Sequence, residues 1–239
     1  MEPIKQRLFK KQELRKIKKI IKENSPNKEP VKIIAVTKTR KIEAVQGAVK
    51  NKLLIIGENK VQEAEKKFYG QKAIREKIEL HLIGHLQSNK VKKAVNIFDV
   101  IQTVDSQKIL KKINSAANKR NKKQRVFFQI NIGRDVKKKG FNLPSLFEIC
   151  KKIHEYKNIK AEGLMTILPQ GKTKKENKEF FVETVALQKQ IQKKYIKTCV
   201  KTSLGMSEDY LEAVQAGATH IRIGSALFGK RKQYNNINS

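Results

Sequence analysis

The stretch VKIIAVTKTRKIEAVQGAVKN, Val31 to Asn51, decides the fold. Its first six residues are a β-branched apolar run suited to a buried strand, and the helical stretch over 41–51 follows after a short polar turn. The same strand-then-helix alternation continues to the C-terminus. Strands are predicted at 31–36, 53–56, 80–83, 100–103, 126–132, 161–167, 200–204 and 219–223, with helices at 61–67, 88–95, 106–121, 143–156, 174–194 and 207–216. Such alternation implies parallel strands joined by crossover helices. Eight units in 239 residues favour a closed (β/α)8 barrel over an open sheet. Upstream, residues 6–23 place Leu8, Leu14, Ile17, Ile20 and Ile21 at helical spacing among lysines, an extra amphipathic helix that needs something larger to pack on. The expected organisation is a single domain: N-terminal helix and loop over 1–30, barrel over 31–230, tail over 231–239.

Hydrophobic residues make up 38% of the chain, but they come in short runs far below the ~20 apolar residues of a membrane helix. The N-terminus intersperses lysine with Leu and Ile and lacks a secretory h-region, so a cytoplasmic protein is expected. Cys150 and Cys199 belong to no Cys or His cluster and read as ordinary reduced thiols, with no metal site expected. The net charge of +32 raises a nucleic-acid reading. Against it, the lysines are spread over nearly every predicted helix, and no aromatic RNA-binding motif, zinc finger or basic tail accompanies them. RNA binding measured by titration at increasing salt is expected to fall away steeply, the mark of a nonspecific field.

In a parallel barrel the reactive groups lie just beyond the C-terminal ends of the strands. Lys38 follows the first apolar strand, where partial desolvation disfavours the ammonium form and supplies the neutral amine that carbonyl condensation needs. A lysine at a strand end also commonly just reaches solvent. The loops after strands seven and eight offer Gly205, Ser207, Gly224 and Ser225, whose amides and hydroxyls suit a phosphate group; equally, Ser207 could simply cap a helix there. Arg222 lies two residues before Gly224 and so shares its face of the strand. An inward arginine needs a partner: either an aromatic ring nitrogen, which it would keep unprotonated, or a carboxylate such as Glu58 or Glu162. His81 and His85 are four apart on a strand, without a third ligand, and His81 reads as a wall residue. Gly171-Lys172-Thr173 fails as a phosphate-binding loop because Thr166 stands where a glycine is required.

Together these residues resemble the pyridoxal phosphate homeostasis protein family, also called proline synthetase co-transcribed homologues, which look like the barrel domain of alanine racemase standing alone. The resemblance covers almost the whole chain. It is carried by AVTKTR around Lys38, GENKVQEA from Gly57, HLIGHLQSNK from His81, the VFFQINIG strand, GLMTI from Gly163, and SLGMSEDYLEAVQAGATHIRIGSALFG from Ser203. It implies pyridoxal 5′-phosphate (PLP) as cofactor, held as an aldimine on Lys38. Ser207, Gly224 and Ser225 would contact the phosphate, Arg222 would face the pyridine nitrogen, and Asn59, His81 and Met206 would line the pocket.

The resemblance further implies a cytosolic monomer serving vitamin B6 balance, with no catalytic residues and with apo forms of PLP-dependent enzymes as acceptors. The competing expectation is a weak PLP-dependent racemase or transaminase. Racemases of the related fold use a second base from another domain, and this sequence ends about ten residues after Gly229. A two-base racemase is therefore not expected.

Overall fold

The computed structural model describes residues 9–133 and 139–229. Eight parallel strands close into a barrel in chain order: β1 (Lys32–Val36), β2 (Ile55–Glu58), β3 (Glu79–Leu82), β4 (Val100–Val104), β5 (Gln124–Ile130), β6 (Ile159–Thr166), β7 (Lys201–Ser203) and β8 (His220–Ile223). Around them run α2 (Ile42–Lys50), α3 (Val61–Phe68), α4 (Lys72–Arg75), α5 (Val91–Ile97), α6 (Gln107–Asn118), α7 (Leu143–Lys151), α8 (Lys174–Lys194), α9 (Tyr210–Gln215) and α10 (Ser225–Phe228), preceded by α1 (Lys11–Asn24). The β1–β8 ladder, Lys32↔His220 through Ala35↔Ile223, closes the ring. No helix among the described residues is long and apolar enough to cross a membrane.

The barrel expected from the alternation is present, with shifted boundaries. The second strand runs two residues later than the expected 53–56, because the ladder pairs Val36↔Gly57 and Glu58↔Leu82 and so carries the strand through a Gly-Glu pair that propensity alone reads as a break. The helix expected over 88–95 divides into a 3₁₀ turn, Ser88–Lys90, and α5. That expected over 143–156 divides at Lys152 into α7 and the 3₁₀ turn Ile153–Glu155. The short α4 was not anticipated; four residues carry no readable periodicity. Of the N-terminal helix expected over 6–23, residues 6–8, including Leu8, lie outside the described residues, as do Lys230 and the tail over 231–239.

The last helix, α10, has four residues and is too short to cover β8. The missing cover comes from α1, which packs across α9 and α10. It buries Leu14, Ile17 and Ile21, and is pinned by Lys10 N–H donating to the Leu227 carbonyl at 2.8 Å and by an edge-on contact of Phe9 with Phe228. Each such side chain contributes about 1.5–3 kcal/mol.

The sheet separates two interiors. The main core lies between strands and helices, while Val100, Phe127 and Met165 form a separate small cluster in the lumen. Beside it the His220 ring lies 5.9 Å edge-on from Phe127 and 6.5 Å from the His81 ring. The N-terminal end of the lumen is filled by charge: Arg125 bonds Glu79 at 2.7 Å and Glu162 at 2.9 and 3.0 Å, and Lys201 bonds Glu162 at 2.7 Å.

Burial pushes the His220 imidazole down to about 3, with His81 and the nearby lysines adding to the effect. The unfolded chain therefore takes up this proton near its ordinary value of about 6.5 while the folded chain does not. Stability relative to His220→Phe is expected to fall as pH drops from about 6.5 toward 3, by up to about 1.4 kcal/mol per pH unit, in paired urea titrations. Parallel stability–pH curves would show that His220 is not held neutral.

Candidate functional site

Lys38 sits half-buried in the turn that follows β1, and that turn is held from three sides. Thr37 Oγ1 donates to Glu58 at 2.6 Å, Lys67 donates to the Thr37 carbonyl at 2.8 Å, and Thr39 N–H donates to Glu63 at 2.5 Å. Thr39 has φ +61°, a left-handed conformation that a β-branched residue keeps only when its surroundings fix it. Lys67 and Glu58 are themselves buried and paired at 2.5 Å, with Glu63 a further 3.1 Å partner of Lys67. Burial raises the Glu58 carboxyl above its usual range despite Lys67, and its Oε2 has no hydrogen-bond partner among the described residues. Glu58 shares the face of Ile56, a member of the main core, so this cluster lies behind the strand and works on the Lys38 turn through backbone and Thr37.

The opposite side of the mouth is built by β7 and β8. Ser207 does not cap a helix: α9 begins at Tyr210 with Asp209 at the cap position. Instead Ser207 Oγ accepts the Gly224 N–H at 3.3 Å, which joins the two loops and leaves the hydroxyl proton for another acceptor. The Ser225 amide opens α10, where no intrahelical acceptor exists. Gly205, at φ +71°, turns the chain beneath them; a Cβ there would meet Ala213 Cβ at 2.6 Å. A Cβ at Gly224 would lie 3.4 Å from Val36 Cβ, so the Ser207–Gly224–Ser225 donors stand beside the strand that leads to Lys38.

Arg222 points inward as alternation predicts and is 4% exposed. Neither Glu58 nor Glu162 is its partner: the first lies behind β2, and the second is engaged by Arg125, Lys160 and Lys201 at the far pole. Its guanidinium donates from Nη1 to the Ser203 carbonyl at 2.6 Å and Ser203 Oγ at 2.9 Å, and from Nη2 to the Thr166 carbonyl at 2.8 Å. That uses three of five N–H donors; the other two have no partner among the described residues. Burial lowers its pKa to about 10, with Asp209 opposing, so the group stays cationic at neutral pH. A buried cation with unspent donors suits an acceptor that enters from the mouth.

Asn59 follows β2, and its backbone is so close to Gly84 that a Cβ there would meet the Asn59 carbonyl oxygen at 2.3 Å. Met206 is 41% exposed at the rim, its N–H bound by Asp209 Oδ1. His81 differs from the expected wall residue. It is 1% exposed, bonded to Glu79 at 2.5 Å and to Gln102 at 2.7 Å, and is linked to the mouth through Gln102, Ser203 and Arg222. Sequence reading missed Gln102, although a lone amide in the apolar strand VIQTV signals a buried polar group that must find partners. Lys67 was hidden among equally plain lysines.

Because Lys67 neutralises a carboxylate in an apolar setting, Lys67→Met is expected to cost about 3–5 kcal/mol in urea denaturation, and Glu58→Leu/Lys67→Met markedly less. Equal losses would mean the pair does not hold the turn as a unit.

Comparison with known proteins shows the family and agrees with the fold. Residues 11–232 match the family model described as alanine racemase, N-terminal domain. The pyridoxal phosphate homeostasis protein of Aquifex aeolicus is 32% identical over 92% of this chain and 95% of its own length. That of Synechocystis is 37% identical over 84% and 92%. The solved structure of PipY from Synechococcus elongatus with PLP bound superposes with a TM-score of 0.81 at 29% identity, covering 91% of this chain and 99% of PipY. Alanine racemase from Clostridium difficile shares the fold, with a TM-score of 0.69 at 17% identity over 93% of this chain and 57% of the enzyme. The chain therefore belongs to the pyridoxal phosphate homeostasis protein family, built on the alanine racemase N-terminal barrel.

Proposed function

We propose that this protein binds PLP at the C-terminal mouth of the barrel, covalently through Lys38, and holds it reversibly to buffer the free aldehyde. The observation that supports the reading is that Ser207 and Gly224 are joined, and Arg222 is a buried cation, at the same end of the barrel as the turn after β1 that carries Lys38. The amine of Lys38 would condense with the cofactor's aldehyde and release one water. Ser207, Gly224 and Ser225 would take the phosphate, and Arg222 would donate to the ring nitrogen, with Asn59 and Met206 at the rim. PLP in the related PipY supports the choice of ligand.

A donor that stays protonated at neutral pH beside the ring nitrogen would keep that nitrogen neutral and weaken the ring as an electron sink. This favours holding over catalysis and accords with the homeostasis role named for the relatives. In this reading the protein works as a cytoplasmic monomer, and apo forms of PLP-dependent enzymes are the acceptors.

Mixing the protein with PLP, reducing with borohydride and mapping the peptides should give one pyridoxyl adduct, on Lys38, with the visible band lost in Lys38→Ala. Label spread over surface lysines would refute the site. Steady turnover of enantiomerically pure alanine that vanishes in Lys38→Ala would make the protein a racemase instead.

A further inference from the structure

Four buried side chains connect the mouth of the barrel to its charged floor. Arg222 Nη1 donates to Ser203 Oγ at 2.9 Å, Ser203 Oγ donates to Gln102 Oε1 at 2.7 Å, Gln102 Nε2 lies 2.7 Å from His81 Nδ1, and His81 Nε2 lies 2.5 Å from Glu79 Oε1. Gln102 and Ser203 are fully buried, and His81 nearly so, so no solvent molecule completes their bonding from outside.

The two ends fix the direction of the whole chain. A guanidinium only donates, and an ionised carboxylate only accepts. Burial alone would raise the Glu79 carboxyl, but hydrogen bonds from His81 and Arg125 hold it well below the usual carboxylate range. Each group between them therefore has one orientation. The Ser203 proton goes to Gln102, the Gln102 amide nitrogen faces His81, and the His81 proton sits on Nε2. Burial likewise keeps His81 from charging, against the pull of Glu79. A second proton on His81 would meet the Gln102 NH₂ group head-on.

We propose that Gln102 is the positioning residue of the cofactor site: acting through Ser203 and locked in orientation by His81, it aims the Arg222 guanidinium at the ring nitrogen. This rests on the proposed PLP site. Ser203 Oγ keeps a lone pair directed at Arg222 because its own proton is committed to Gln102. Without that acceptor the hydroxyl turns to spend its proton elsewhere, and the guanidinium loses one of its three anchors. Among the described residues the Gln102 side chain hydrogen-bonds Ser203 and His81, so its influence on Arg222 travels along this line.

The test uses full-length protein loaded with PLP carrying ¹⁵N in the ring, read by the ring-nitrogen chemical shift, with borohydride mapping to Lys38 as the control for an intact site. Arg222→Leu should move the signal away from its wild-type position. Gln102→Leu should move it in the same direction by a smaller amount and weaken PLP binding about fivefold, the worth of one net hydrogen bond. Ser203→Ala, which deletes the connecting hydroxyl, should reproduce Gln102→Leu and stands in for it if that variant does not fold. A wild-type shift in Gln102→Leu or Ser203→Ala, with Arg222→Leu moved, overturns the relay and leaves the cofactor site standing. No movement in Arg222→Leu overturns the assignment of Arg222 to the ring, and the relay with it.

Discussion

Closure of the sheet by the β1–β8 ladder is the constraint on which the rest depends. Lys38 follows the first strand, and Gly224 and Ser225 follow the last; they face one space only because Lys32 pairs with His220 and Ala35 with Ile223. Arg40 donating to the Gly229 carbonyl at 2.6 Å, across a separation of 189 residues, ties the turn after β1 to the end of α10. An open sheet of the same strands would put the amine and the anion donors on opposite edges. Parallel pairing adds the second requirement, since it brings every strand's C-terminal end to the same rim.

Within that ring, the placement of charge is asymmetric. At the floor, Glu79, Arg125, Glu162 and Lys201 satisfy one another. At the mouth, Arg222 is held by carbonyl and hydroxyl oxygens rather than by a carboxylate. Neutral acceptors orient a guanidinium without cancelling its charge. The floor thus resembles a structural plug, while the upper layer keeps a positive field for an incoming group.

The fold was legible because the period of the apolar runs switches repeatedly between that of strands and that of helices, and eight switches leave few architectures. Boundaries were less legible. Gly57-Glu58 looks like a break until β1 and β3 pair on either side of it. At the proposed site, Lys38, Ser207, Arg222, Gly224 and Ser225 stood out in the sequence because each lies next to a strand end. The orientation of Arg222 was readable from alternation, but its partners were not, since they come from β6 and β7 and two of the three are backbone carbonyls. The depth of His81 was not readable for a related reason. Alternation gives the face of a residue but not its depth, and depth separates a wall of the pocket from a support beneath it. The Lys67–Glu58–Glu63 cluster could not be read at all in a chain where lysine is the commonplace polar residue.

The substitution of α1 for the missing cover on β8 has a consequence for how the molecule is made. Its apolar stripe leaves the ribosome before the barrel strands, yet its partners α9 and α10 leave about 200 residues later. At about 5–20 residues per second, roughly 10–40 s of synthesis separate the two. For that interval Leu14, Ile17 and Ile21 wait without α9 and α10, and the lysines spaced among them put like charge on any two such waiting helices, which opposes their association.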